Sequence, residues 1–156
     1  MLIGHGWDLH QHSDSKTLII GGVDFEEDGF EGHSDGDILL HALCDALLGA
    51  TGKKDLGHYF PSDESTPKDI PSTDIFSEIL NVVEYEKFSL TNVDITIITQ
   101  KFNVQDKAVK IQKNLSRLLK VPVEKINIKG KSSDDYGIIG NQKASLAIVS
   151  LLLDDA

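Results

Sequence analysis

Apolar positions along this chain change their spacing several times, and each change marks a candidate element. Residues 1–10 read as a strand. Thr17 to Ile20, then Gly21-Gly22, then Val23 to Phe25 predict a hairpin or tight bend, with paired glycines at the turn. Ile38, Leu39, Ala42, Leu43, Ala46 and Leu47 recur at helical spacing, with Ser34 or Asp35 as the expected cap and Gly49 and Gly52 near the end. Residues 53–71, with Pro61, Pro67 and Pro71, form the longest irregular stretch, and a loop of that length is often a lid. A helix is expected from Ser72 or Thr73 through Ile75, Ile79, Leu80 and Val83. A β-branched strand follows over 90–99, then a helix over 104–119, a strand over 125–131 and a closing helix over 142–153. Strands alternating with helices on this scale predict an α+β sandwich, a mixed sheet with helices on one face. Neither repeat nor linker divides the 156 residues, so one domain is expected.

Composition narrows the function classes. A formal charge of −10 sets the chain against nucleic acid, because no basic stripe offsets repulsion from phosphates. A phosphorylated small molecule is still compatible, provided that cations and backbone donors supply positive field. The one cysteine, Cys44, lies in an apolar helical run and reads as packing; no internal disulfide is possible. The N-terminal residues lack the pattern of a signal peptide, and the apolar stretch 144–153 is too short to span a bilayer. The expectation is a cytoplasmic protein with no membrane partner.

Candidate chemistry concentrates in three places. Asp8 and His10 stand two apart, so on a strand both side chains project to one face. A helical His41 could join them from a second element. Two imidazoles and a carboxylate suit a zinc with one position open, although Asp-x-His alone is common in proteins without metal. His41 shares a helical face with Asp37 and Asp45, a polar row that is either solvated or supports such a site. His5 and His12 read as structural or exposed. His33-Ser34-Asp35-Gly36-Asp37 places an imidazole, a hydroxyl and backbone N–H groups at a helix start, which fits either a phosphate or simple capping. In Lys129-Gly130-Lys131-Ser132-Ser133-Asp134-Asp135-Tyr136-Gly137, hydroxyls and Lys131 could meet phosphates while Asp134 holds a hard cation; an ordinary Asp/Gly turn has the same composition.

Together these stretches resemble one family. Gly4-His5-Gly6-Trp7-Asp8-Leu9-His10, Ile20-Gly21-Gly22-Val23, Gly32-His33-Ser34-Asp35-Gly36-Asp37 with His41-Ala42-Leu43 and Asp45-Ala46-Leu47-Leu48-Gly49-Ala50, Asp55-Leu56-Gly57, Phe60-Pro61 and Asn92-Val93-Asp94 look like the 2-C-methyl-D-erythritol 2,4-cyclodiphosphate synthases of non-mevalonate isoprenoid biosynthesis. The resemblance implies conversion of 4-diphosphocytidyl-2-C-methyl-D-erythritol 2-phosphate to the cyclic diphosphate and CMP. The substrate's own 2-phosphate attacks the β-phosphorus, so no protein nucleophile is needed. It implies zinc, or another divalent transition metal, on Asp8, His10 and His41, with Asp45 supporting the metal site. His33 and Ser132 become stabilisers of the transition state, and Ser34 a phosphate contact. Asp55, Leu56 and Gly57 would grip the erythritol, with Phe60, Pro61, Ser62, Asp63 and Glu64 in a loop over it. Thr99, Gln100, Lys101, Phe102, Asn103, Val104 and Gln105 would line the cytidine pocket with Gly130, Lys131, Ser132 and Ser133. Asp134 would help hold magnesium or manganese. The family fold is a small α+β sandwich that assembles as a homotrimer with active sites between subunits.

This chain departs from the family pattern at several points. Lys131-Ser132-Ser133-Asp134 stands where the family has Thr-Thr-x-Glu, Phe102-Asn103 where it has Pro-Lys, Asn141 where it has arginine, Ile138 where it has an aromatic, and Ser62 where it has an acid. Lys101 and Lys131 are candidates to replace the lost positive charge. Two other readings stand beside the synthase. One is a zinc-dependent phosphoester hydrolase, with Asp37 as its only candidate base; the other is a non-catalytic trimeric binding module.

Overall fold

A computed structural model describes residues 1–156. The hairpin forms where the glycines predict it. β1 (Leu2–Ile20) pairs antiparallel with β2 (Val23–Phe30), and Ile20 stands opposite Val23. Gly21 and Gly22 between them have φ of 59° and 73°, and two successive left-handed residues are what a two-residue hairpin turn needs. β1 runs past its expected end at residue 10, with irregular register between Ser13 and Ile19.

α1 (Ile38–Ala50) follows, and its cap is Asp37, not Ser34 or Asp35. The Asp37 carboxylate accepts from Leu39 N and Leu40 N, and also from Gly21 N at 2.9 Å and Gly22 N at 2.6 Å. One buried side chain therefore fixes the hairpin turn against the start of the helix. Ten of the helix's thirteen residues are buried, Cys44 among them, as expected of packing. Each fully buried Leu or Ile there contributes on the order of 2 kcal/mol.

The irregular stretch 53–71 contains one short helical turn, α2 (Leu56–Tyr59). α3 (Ser72–Val82) and β3 (Phe88–Ile98) come next, then α4 (Gln105–Leu119), β4 (Ile126–Lys131) and the short α5 (Gly137–Gly140).

The closing segment corrects the expectation. Residues 142–153 are not helical; β5 (Ala144–Asp155) is a strand in the middle of the sheet, between β1 and β3. Ser145, Ala147, Val149, Leu151 and Leu153 are buried beneath helices, while Leu146, Ile148 and Leu152 lie on the opposite face. Both faces of the strand are apolar, which hides the period of two, and a short apolar run does not distinguish strand from helix.

The sheet order is β2-β1-β5-β3-β4, with β3 and β4 parallel and the other pairs antiparallel. Helices and sheet share one cluster of 33 buried apolar residues. The far face of β1 is uncovered: Ile3 is 77% exposed and Trp7 61%.

Candidate active site

Close backbone approach places the site. On the helix side of β1, Gly4 and Gly6 sit directly beneath α1, and an added Cβ on Gly6 would lie only 2.2 Å from Ala42 O. The strand and helix axes can approach this closely only without side chains there. The next residues on that strand face, Asp8 and His10, therefore meet His41 from the end of the helix's first turn.

Asp8 Oδ2 lies 3.0 Å from His10 Nε2 and 3.1 Å from His41 Nδ1. The three donor atoms all fall within 4.8 Å of one another. Neighbouring ligands on a tetrahedral zinc are separated by about 3.3 Å, and both distances to Asp8 lie within a few tenths of an ångström of that spacing. Without metal they hold one another. Burial raises the Asp8 carboxyl, but hydrogen bonds and charge from His10 and His41 outweigh it and bring the pKa down to about 2. Burial lowers His41, but the bond to Asp8 and the charges of Asp8, Asp37 and Asp35 outweigh that and raise it above its ordinary 6.5.

The far nitrogen of His41 has its own partners. His41 Nε2 lies 3.0 Å from Ser72 Oγ and 3.2 Å from Ser34 Oγ. The fully buried Ser72 hydroxyl donates to Asp35, in a short hydrogen bond, which leaves its oxygen free to accept from Nε2. With Nε2–H donated to Ser72, Nδ1–H donates to Asp8 in the metal-free imidazolium, and loss of that proton leaves on Nδ1 the lone pair that a metal requires. Donor set, spacing and tautomer together fit a divalent transition metal.

Sequence reasoning missed Ser72, whose place at a helix start reads as capping. It assigned the metal's support instead to Asp45. The Asp45 carboxylate lines the same cavity but accepts from Leu56 N at 2.7 Å, so it fixes α2 and makes no hydrogen bond to His41. Burial pushes the Asp45 carboxyl up against that bond. Asp37 does not serve as a base: it is fully buried and spent on four N–H donors.

A cavity of about 250 Å³ opens over the metal ligands. His33, Ser34, Leu56, Gly57, Phe60 and Ser62 line it, as the resemblance implies. His33 Nε2 donates to Thr66 O at 2.7 Å, which orients the ring from the irregular segment. Asp55, Pro61, Asp63 and Glu64 are not in its wall. Asp55 caps α2 through His58 N, and Asp63 is turned onto Ser65.

The expected nucleotide residues form a second hollow. Thr99, Phe102, Asn103, Val104, Gln105, Gly130, Lys131 and Ser132 line a cavity of about 200 Å³ that shares no residue with the first. Gln100, Lys101, Ser133, Asp134, Ile138 and Asn141 stand outside both walls. Gln100 bonds Asp135, and Lys101 pairs with Asp28 at 3.3 Å instead of standing free to replace lost charge. Asp134 Oδ1 accepts from Ser132 Oγ at 3.1 Å. One chain thus carries His33 and Ser132 in separate cavities and does not bring them together.

Comparison with known proteins agrees with this geometry. A sequence model of the YgbB family matches residues 1–154. The 2-C-methyl-D-erythritol 2,4-cyclodiphosphate synthase of Francisella tularensis subsp. novicida is 39% identical over 153 residues, covering 97% of this chain and 96% of that one. The synthase of Halothermothrix orenii is 36% identical over 156 residues, covering 99% and 94%. Among solved structures, the bifunctional IspDF of Campylobacter jejuni superposes with a TM-score of 0.93 at 29% identity; 99% of this chain matches, spanning 42% of that longer one. The Plasmodium falciparum IspF in complex with CDP gives 0.85 at 32% identity, over 99% of this chain and 96% of that one. Both the sequence and the fold therefore say that this chain belongs to the YgbB family, that of the 2-C-methyl-D-erythritol 2,4-cyclodiphosphate synthases.

Proposed function

We propose that the chain, acting as one domain, converts 4-diphosphocytidyl-2-C-methyl-D-erythritol 2-phosphate into the cyclic diphosphate and CMP, as a lyase of isoprenoid biosynthesis. The observation that carries this reading is the convergence of Asp8 Oδ2, His10 Nε2 and His41 Nδ1 beside His33 and Ser34. Zinc held by those three atoms supplies, when bound, Lewis-acid polarisation and orientation of a phosphate oxygen. His33 and Ser34 receive phosphate oxygens, and Leu56 and Gly57 bound the erythritol end. The 2-phosphate oxygen forms its bond to the β-phosphorus as the bond to the CMP oxygen breaks. Holding the two ends of a flexible polyanion together is the main task, and positioning with charge stabilisation carries such transfers.

The cytidine is assigned to the second hollow, with Ser132 toward the phosphates and Asp134 toward magnesium or manganese. Both hollows can serve one substrate if they come from different copies. We assign the chain to a homotrimer whose sites lie between subunits, with the uncovered β1 face of Ile3, Trp7 and Leu9 as the apolar contact. No helix is long and apolar enough to cross a membrane, and a cytoplasmic location is the simplest placement.

The test is incubation of the purified chain with that substrate, zinc and magnesium, followed by phosphorus NMR. Cyclic diphosphate with equimolar CMP is expected. Inorganic phosphate would make the protein a hydrolase, and unchanged substrate would make it a binding module.

A further inference from the structure

Lys16 lies outside the cavity and belongs to none of the family motifs, yet its ammonium is fully used. Nζ donates to Gly32 O at 2.8 Å, to Ser34 O at 2.9 Å and to Asp69 Oδ1 at 2.9 Å. An ammonium has three protons, and each has an acceptor. Two of the acceptors are main-chain carbonyls from the turn that carries His33. The third belongs to the irregular segment whose Thr66 carbonyl orients the His33 ring. The two segments also meet directly, through Asp69 N to His33 O at 2.7 Å and Asp35 N to Ile70 O at 3.2 Å.

We propose that Lys16 is a positioning residue for the phosphate-receiving turn, a clamp that presets His33 and Ser34 before substrate arrives. The inference rests on the function proposed above for those two residues. Turning the Gly32 carbonyl onto the ammonium orients the trans peptide, so the His33 N–H points the opposite way. Fixing Ser34 O in the same manner sets the residue whose hydroxyl faces His41. The clamp also places a cation behind a turn that must accept phosphate in a strongly acidic chain. An exposed ion pair of Lys16 with Asp69 alone would contribute little. The Lys16 side chain is 23% exposed, and the two carbonyl bonds distinguish it from such a pair.

The test compares Lys16→Met, Lys16→Arg and Asp69→Asn by amide hydrogen exchange, zinc affinity and steady-state kinetics. Lys16→Met removes charge and donors together. Exchange in residues 32–36 and 66–70 should accelerate, and KM should rise about tenfold, with kcat and zinc affinity within about twofold of wild type. Lys16→Arg, which keeps the charge and several donors, should recover most of the KM. Asp69→Asn should loosen 66–70 and spare 32–36. Wild-type exchange and KM in Lys16→Met would overturn the clamp, as would parallel loss of zinc affinity, which marks a general distortion. Exchange and zinc binding need no turnover, so an inactive wild-type chain would defeat the synthase reading and still leave the clamp decidable.

Discussion

Replacing Gly6 by alanine tests the physical basis of the metal site with one methyl group. Its Cβ would stand 2.2 Å from Ala42 O, 2.7 Å from Ala46 N and 3.0 Å from Asp45 Cβ. Ordinary contact begins near 3.4 Å, so α1 must rise from β1 by about 1.2 Å at Ala42, next to His41. Metal ligands tolerate only about 0.2 Å of error, and a misplacement near 1 Å costs about 100-fold in function. Gly6→Ala should therefore weaken zinc binding by about 100-fold or more, read by competition with a chromophoric chelator. Overpacking adds about 2 kcal/mol of destabilisation, a fall of roughly 5 °C in Tm for the metal-free chain. Gly49→Ala is the control: its Cβ meets only His5 O at 3.8 Å, so zinc affinity should hold. The helix should gain up to about 1 kcal/mol from the same control. Zinc affinity near wild type in Gly6→Ala, or equal losses in both variants, would refute the claim that close approach builds the site.

Four more outcomes follow from the same geometry. Ser72→Ala removes the nearer of the two hydroxyls at His41 Nε2 and should lower zinc affinity about tenfold, by chelator competition, while Ser72→Thr retains it. In the metal-free chain Asp8 is depressed to about 2 and His41 is raised above 6.5, so their mutual stabilisation is full only between the unfolded values of 3.8 and 6.5. It is lost as pH falls toward 2 and as pH rises through the elevated His41 value, which Tm measured against pH will show. Zinc must displace the His41 proton, so its apparent affinity should fall about tenfold per unit on acidification below that value. Asp37→Ala orphans the N–H groups of Gly21, Gly22, Leu39 and Leu40 and should cost about 3 kcal/mol or more in urea unfolding; a loss under about 1 kcal/mol would contradict the shared-cap role.

What was legible in the sequence was whatever depends on local period or on atoms close along the chain. Asp8 and His10 share a strand face by spacing alone, and the helical spacing from Ile38 to Leu47 places His41 on α1. The paired glycines at 21 and 22 gave the hairpin, because left-handed φ at two successive positions has few other sources. β5 was misread because Leu146, Ile148 and Leu152 fill its outer face, so no alternation survives. Asp37, Ser72 and Lys16 carry no signal of their roles, since each acts on groups 15 or more positions away in sequence. A capping pattern at Ser34 or Asp35 looks the same on paper as one at Asp37. Only the position of the hairpin turn decides between them.

The two halves of the candidate site are supported in different ways, and most departures from the family pattern fall in one of them. The metal half is set by backbone contact between β1 and α1 and by the buried carboxylate of Asp37, so changes there propagate into the core. The second hollow combines the buried Thr99 and Val104 with the largely exposed turn of residues 131–138. Phe102 packs edge-on to Phe30 and His12, and Lys107 lies 4.8 Å over Phe25 and 5.8 Å from the Phe102 centroid while pairing with Glu27. Lys101 reaches Asp28 on the same hairpin. Substitution in the exposed turn of residues 131–138 is absorbed locally, because that turn carries little of the core. Of the departures from the pattern that the resemblance implies, those at 102, 103, 131–134, 138 and 141 fall on that side, and Ser62 alone lies in the wall of the metal cavity. On the proposed function, nucleotide affinity is therefore the property most open to change, while the spacing of Asp8, His10 and His41 is held by the packing of β1 against α1.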